Sequence, residues 1–521
     1  MKKKLIMVVV AFAVVIGILL GNNNITYVSA SGKGKDAKVL EGQKWLNKTY
    51  KGKEGYVVIA EDGIAGRGTT KALIRAIQIQ LKVDVDGGFG EGTRSKFPIL
   101  SSKTKQCKLT KIMQYALYCK GYDAGVCDGK FHAQTQKAVT QLQKEAGYKG
   151  SGVINGHWAQ AILSTDVFKL VNGGDVRIRN MQKYLNANYF KYIGIEPCDG
   201  VYTVDMYKNV IKALQGEEGF TPEQANGHFG EGTYSRCPDL KLNDDRKEVV
   251  LLRIALEING FNKKGGLGTK YDEVLASKVK EYQEFMNLPN KSGDADKGTI
   301  TSLLKTCGDT SRDANALDTA TKLNEETIAQ MKEKGYEYVG RYLTQVDGGL
   351  DKAMTKEEAQ MILAAGMKII PIYQTIGDNN VYFSAKQGEA DAKEAYEAAK
   401  ALGIVSNSTI YFAVDYDAYG ASVTNQVMPY FDAINTYFRQ QEIVYNVGVY
   451  ASRACCNTIS NNNLAKYSYV RDMSYGSGGN MGVAMPKNWA FDQYAEIKDM
   501  GIGLDKVNAS GRDVGVSELN D

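Results

Sequence analysis

Phe89-Gly90-Glu91-Gly92-Thr93 recurs letter for letter as Phe229-Gly230-Glu231-Gly232-Thr233, 140 positions later. Asp128 and Gly268 stand the same 140 positions apart. A block of this length was therefore duplicated, and both copies must fold by one set of rules. Each block divides again. Asp62-Gly63 leads to Gln78, Asp128-Gly129 to Gln143, Asp199-Gly200 to Gln215 and Gly268-Thr269 to Gln283, at offsets of 16, 15, 16 and 15. Within a unit, a first helix carries apolar residues at helical spacing, as in Ile112, Tyr115, Ala116 and Cys119. A Gly-rich turn follows, and Thr135 is expected to start a second helix before Ala138, Val139 and Leu142. Helical pairs this short bury little area alone, so four all-α units are expected to pack on one another. Their expected bounds are 39–100, 107–166, 176–240 and 247–306.

The units resemble the peptidoglycan-binding repeats of bacterial cell-wall hydrolases. Asp128-Gly129-Lys130-Phe131, Thr135, Ala138-Val139 and Leu142-Gln143 carry the resemblance; the fourth unit has lost its Asp-Gly. It implies peptidoglycan or another cell-wall glycan as partner. The competing reading is an all-helical spacer, since long inserts in the first and third units could blunt a groove.

Lys2 to Lys4, an apolar run from Leu5 to Leu20 and Val28-Ser29-Ala30 read as a secretory signal over 1–30, cleaved after Ala30. The expected location is secreted and wall-associated, with no stable membrane span after cleavage. Those three lysines account for most of the formal charge of +5, so the remainder offers no electrostatic footprint for nucleic acid. Export permits disulfides; Cys119 and Cys127 are a plausible pair, and Cys198 and Cys237 bracket another repeat. No C-x2-C pair and no His at ligand spacing supports a metal, and no cofactor is expected. The three histidines, His132, His157 and His228, all lie in the N-terminal half, which excludes His chemistry from the C-terminal half.

From about 311 to 515, strand-like and helical runs alternate. Eight strands are predicted: Ala316–Ala320, Tyr336–Leu343, Met367–Gln374, Thr409–Asp417, Tyr445–Ala451, Tyr467–Met473, Trp489–Tyr494 and Leu504–Asn508. The expected fold is a TIM-type (β/α)8 barrel, with an open doubly wound sheet as the alternative. Pro371 inside the third strand removes one ladder donor. Polar residues cluster at strand ends, where barrels carry their chemistry. On the fourth strand Tyr411, Ala413, Asp415 and Asp417 share one face. Two carboxylates so placed suit the acid and base of glycoside hydrolysis. Asp318 and Asp505 complete the candidate catalytic set. Arg341, Tyr342, Tyr373, Gln374, Asp472, Asp492, Gln493 and Tyr494 are the candidate substrate-binding residues, with Arg341 equally suited to a structural ion pair.

This half resembles the glycoside-hydrolase-like domain of unknown function often attached to such repeats in Gram-positive bacteria. The matching stretches are Ala316 to Ala320, Val339 to Thr344, Ile410 to Ala418, Val447 to Tyr450 and Trp489 to Tyr494. That domain is in turn similar to the family-25 lysozymes, which carry an Asp on the first strand, Asp-x-Glu on the fourth and an Asp near the last. Asp318, Asp415 and Asp505 match, whereas Asp417 stands at the place of the acid Glu. The resemblance implies a muramidase-like hydrolase of peptidoglycan glycan strands. The alternative is a non-catalytic peptidoglycan- or carbohydrate-binding protein with a degenerate barrel.

Overall fold

The computed structural model describes residues 34–262, 265–346, 349–473 and 476–520, so the signal read at 1–30 lies outside the described residues. Each repeat is a three-helix unit rather than a helical pair. The first contains α1 (Ala37–Tyr50), α2 (Arg67–Leu81) and α3 (Glu91–Lys96); the second α4 (Lys108–Cys119), α5 (Ala133–Glu145) and α6 (Gly156–Leu163). The third contains α7 (Val176–Ile193), α8 (Val204–Glu217) and α9 (Glu231–Arg236); the fourth α10 (Lys247–Ile258), α11 (Glu273–Phe285) and α12 (Lys297–Leu304). Units pair identically in both blocks: Leu100 bridges Ile154, and Leu240 bridges Ala295.

The recurring glutamine staples the turn that follows it. Gln143 donates from Nε2 to the Val153 carbonyl at 2.8 Å and accepts the Gly152 N–H at 2.9 Å. Gln78, Gln215 and Gln283 do the same to Gly87, Gly227 and Gly293. A second glutamine, on the first helix, treats the preceding turn likewise: Gln43, Gln114 and Gln182 accept from Gly63, Gly129 and Gly200. In the fourth unit, which lacks Asp-Gly, Arg253 replaces it and donates to the Gly268 and Lys270 carbonyls. Gly129 is required at its turn, because it sits at φ +92° and a Cβ there would meet the Cys107 carbonyl at 2.7 Å. Thr135 does not start α5; His132 takes the cap position, and buried Thr135 bonds the Ala124 carbonyl and Gln114. Gln143→Ala would strand the Gly152 N–H and the Val153 carbonyl. The expected cost is about 1–3 kcal/mol, read as a lower denaturation midpoint of the repeats.

All eight cysteines are free thiols, so the expected pairing of Cys119 with Cys127 does not form. Cys198 is buried in the core of the first two units and Cys237 in the core of the last two, which separates them.

The C-terminal half closes into a barrel in strand order β1 to β8. In chain order it runs β1 (Ala316–Asp318), α13 (Glu325–Glu333), β2 (Tyr338–Tyr342), α14 (Lys356–Ala364), β3 (Lys368–Tyr373), α15 (Ala385–Leu402) and β4 (Thr409–Ala413). There follow a π-helical turn (Val423–Val427), α16 (Met428–Phe438), β5 (Asn446–Ala451), α17 (Arg453–Asn461), β6 (Tyr467–Arg471), β7 (Trp489–Asp499) and β8 (Ile502–Ala509). Closure excludes the open sheet. The barrel also departs from a regular (β/α)8: β1 to β7 are parallel, but β8 is antiparallel to both β7 and β1. Among the described residues, helices follow only the first five strands. The cause is local. Met500 and Gly501 both have positive φ, 52° and 76°, which closes a two-residue hairpin and reverses the chain. The fourth strand ends at Ala413, four residues before the expected Asp417. Pro371 lies inside β3, opposite Arg341 of β2.

The boundary expected between the fourth unit, ending at 306, and the barrel, starting at about 311, does not separate two cores. One hydrophobic cluster runs from Met181 of the third unit through the fourth and into the outer layer of the barrel, while the first two units form a second. Trp489 of β7 donates from its indole to the Phe285 carbonyl of α11 at 3.0 Å. Asn508 of β8 donates to the Met286 carbonyl at 3.1 Å.

Candidate functional site

Strand alternation decides which side chains reach the barrel interior. Ala316, Tyr338, Tyr342, Ile370, Ile372, Tyr411, Ala413, Tyr450, Tyr469 and Phe491 fill it. Continuing the same parity to the strand ends carries Asp318, Gln374, Asp415, Arg471, Gln493 and Asp505 to one mouth. The reversed β8 matters here: it sets Asp505, near its start, directly opposite Asp318 at the end of β1.

Two connected groups form the mouth. In the deeper one, the Gln493 amide donates to Asp318 Oδ2 at 2.8 Å and to Asp505 Oδ2 at 2.9 Å, while its carbonyl accepts from Tyr450 at 2.9 Å. The Tyr469 hydroxyl also donates to Asp318. Burial raises the Asp318 carboxyl above its usual range, although both hydrogen bonds oppose it. Burial, then the charges of Asp318 and Glu496, pushes Asp505 up to about 8. Two carboxyls sharing one amide cannot both ionise cheaply. In the shallower group, Arg471 pairs with Asp415 at 2.7 Å, Gln374 donates to the other Asp415 oxygen at 2.9 Å, and Lys352 donates to Gln374 at 2.8 Å. Lys352 sits 4.1 Å over the Tyr342 ring, and burial lowers it to about 8 against the pull of Asp415.

Other expected site residues lie elsewhere. Asp417 is exposed beyond the end of β4, and its two oxygens accept the Gly478 and Gly479 N–H groups at 2.9 and 2.8 Å. It ties down the loop after β6 instead of entering the mouth beside Asp415. Arg341 points outward, fully buried, and pairs with Glu358 of α14 at 2.7 Å. Tyr373 points outward and donates to Glu394 of α15. Asp472 pairs with Arg453, and Asp492 with Arg312, whose guanidinium lies 3.4 Å from the centroid of the Tyr494 ring. These last three belong to the seam between the barrel and the fourth repeat. Arg471, Lys352, Tyr450 and Tyr469 were not anticipated. Arg471 was recoverable, because it shares parity with Tyr467 and Tyr469; Lys352, in the loop after β2, has no such signal. Among the described residues no group of His, Cys, Asp and Glu could hold a metal ion.

The chain is 44% identical to the uncharacterized protein YbfG of Bacillus subtilis over 505 residues, covering 93% of this chain and 69% of that protein. It is 39% identical to FadG of the same organism over 502 residues, covering 93% and 87%. The chain belongs to the FadG/YbfG family. The family's FadG/YbfG PGDB-like domain matches residues 31–106 and 171–304, and a peptidoglycan binding domain matches 108–162 between them. A Rv2525c-like, glycoside hydrolase-like domain matches 329–511. These domains give the protein a cell-wall-related role. The crystal structure of the Tat-secreted protein Rv2525c of Mycobacterium tuberculosis, in complex with L-tartrate, matches at 23% identity and a TM-score of 0.33, over 38% of this chain and 95% of that one. Among the described residues no helix is long and apolar enough to cross a membrane.

Proposed function

We propose that this is an exported cell-wall protein whose repeats hold peptidoglycan and whose barrel mouth hydrolyses its glycan strands. The observation that carries the reading is the carboxyl pair at the mouth, Asp318 and Asp505 on one Gln493 amide, on the same rim as Asp415. In the family-25 lysozymes the acid follows the fourth strand. Here Asp417 is committed to backbone N–H groups, and the proton is held on β8 instead. Asp505 accepts from Gln493 through one oxygen, which leaves the other to donate its proton to the glycosidic oxygen as the bond to the anomeric carbon breaks. Asp415, paired with Arg471, faces the positive charge that develops on the sugar and takes a proton from the incoming water as that water bonds to the anomeric carbon. Asp318 acts through Asp505: its charge holds the proton there.

The sign of the pH dependence follows. An acid raised to about 8 is competent below that pH and lost above it, so glycan cleavage should fall on an alkaline limb near pH 8. Asp318→Asn removes a charge that raises Asp505, so the limb should move to lower pH. The experiment is the rate of new reducing ends from purified peptidoglycan between about pH 5 and 10. An unchanged limb in Asp318→Asn would exclude Asp505 as the proton donor. Engagement of Asp417 by backbone favours a second reading, a barrel that binds glycan without cutting it. In that case the protein retains glycan fragments and no reducing ends appear.

A further inference from the structure

A cleft of about 660 Å³ opens between the two duplicated blocks, remote in sequence from the barrel mouth. It is lined by Arg94 of the first unit, by His157, Gln160 and Asp166 of the second, and by Phe190 and Glu196 of the third. Its volume falls in the range of small-ligand sites. The third unit departs from its own copy at this place. α7 runs 18 residues where α1 runs 14, and the added turn, 190–193, supplies the wall. The join is visible in the backbone: Tyr189 leaves helical geometry at φ −124° and ψ 21°, and Gly194 caps the extension at φ +79°.

The walls are fixed. Gln160 accepts from Arg94 at 3.2 Å and donates to the Phe89 carbonyl at 3.1 Å. The Glu196 backbone is held on both sides by Asn186, at 2.9 and 2.8 Å. His157 packs edge-on against Phe190, with ring centroids 5.0 Å apart. The lining carries charges of both signs. Arg94 depresses the His157 imidazole, behind burial as the larger cause. Burial and then Asp166 raise Glu196 to about 7, against the pull of an Asn209 hydrogen bond and of Lys212. Arg94 also pairs with Glu91, and Lys191 and Glu223 complete the charged lining. Such a cleft fits a ligand with carboxylates for its cations, Arg94 and Lys191, an ammonium for its acids, Glu196, Asp166 and Glu223, and an apolar stretch for Phe190. Neutral sugar rings offer neither charge.

We propose that this inter-block cleft binds the stem peptide of peptidoglycan, a short peptide with free carboxylates and a free ammonium, and so anchors the chain on uncrosslinked stems. The proposal rests on the reading that the repeats hold peptidoglycan and names the part they grip. Charge-assisted hydrogen bonds of this kind correspond to roughly ten- to hundredfold in affinity.

The test is calorimetric titration of the mature full-length chain with a synthetic tetrapeptide of L-Ala, D-Glu, a diamino acid and D-Ala, beside a peptide-free glycan oligomer. Pelleting with purified peptidoglycan is measured in parallel. The expected result is saturable peptide binding, weakened about tenfold or more by Glu196→Gln and by Arg94→Gln, each of which keeps the wild-type melting transition. Binding unchanged in both variants would place the peptide elsewhere and overturn the proposal. Pelleting without peptide binding, or equal binding of the bare glycan, would overturn it and leave the proposed function standing. A protein that does not pellet at all would overturn the proposed function itself.

Discussion

Asp505→Asn is expected to reduce release of reducing ends from purified peptidoglycan by about 10²–10⁴-fold, with the barrel still folded. The amide keeps the size of the carboxyl and can still contact Gln493, but it has no proton to give. Asp415→Asn should cost a similar factor, because it removes the charge opposite the reacting carbon and releases Arg471. The double variant should be little worse than either single one, since groups acting in one step do not contribute additively. Asp417→Asn is the contrasting change. Among the described residues its carboxylate accepts from the Gly478 and Gly479 N–H groups, and an amide retains one acceptor, so cleavage should persist within about tenfold. Loss of activity in Asp417→Asn with full activity in Asp505→Asn would return the acid to the fourth strand.

Glu358→Ala should destabilise the barrel by about 3–5 kcal/mol. Arg341 is fully buried, and its guanidinium is answered by Glu358, the Thr319 carbonyl and the Lys352 carbonyl. Removing the carboxylate leaves a buried cation facing two carbonyls. Replacing both partners, as in Arg341→Met with Glu358→Leu, should recover much of the loss, because neither charge is then stranded. Guanidinium denaturation followed by tryptophan fluorescence reads this transition, since Trp489 lies in the same shared core. An unaltered midpoint in Glu358→Ala would mean that the pair contributes nothing to the fold.

Much of this architecture was legible in the sequence. The duplicated Phe-Gly-Glu-Gly-Thr marks the pairing of units, and the glutamine that recurs at an offset of 15 or 16 is a buried staple whose role only the structure displays. The eight strands stand where apolar alternation predicts them, but the reversal of β8 does not, because Met500 gives no warning that it adopts a positive φ. At the mouth the misplacements have one cause. Arg341, Tyr373, Asp472, Asp492 and Tyr494 are each one residue out of phase with an inward side chain, and neighbours on a strand face opposite ways. Asp472 drew attention as an acid at a strand end, yet Arg471 beside it is the residue that reaches Asp415. Asp417 keeps the parity of β4 on paper, but the strand ends at Ala413 and the rule lapses with it. The seam was illegible for another reason. Arg312 and Asp492 are 180 residues apart, and no local pattern announces that the fourth repeat packs on the barrel.

The account rests on glycan cleavage at the barrel mouth. The most direct measurement incubates the full-length protein with purified peptidoglycan at neutral pH, reduces the products with borohydride and identifies the reduced sugars. New ends should be reduced muramic acid, formed by the wild type and not by Asp505→Asn. Wild-type protein that binds the same material and yields no new reduced ends would contradict the account.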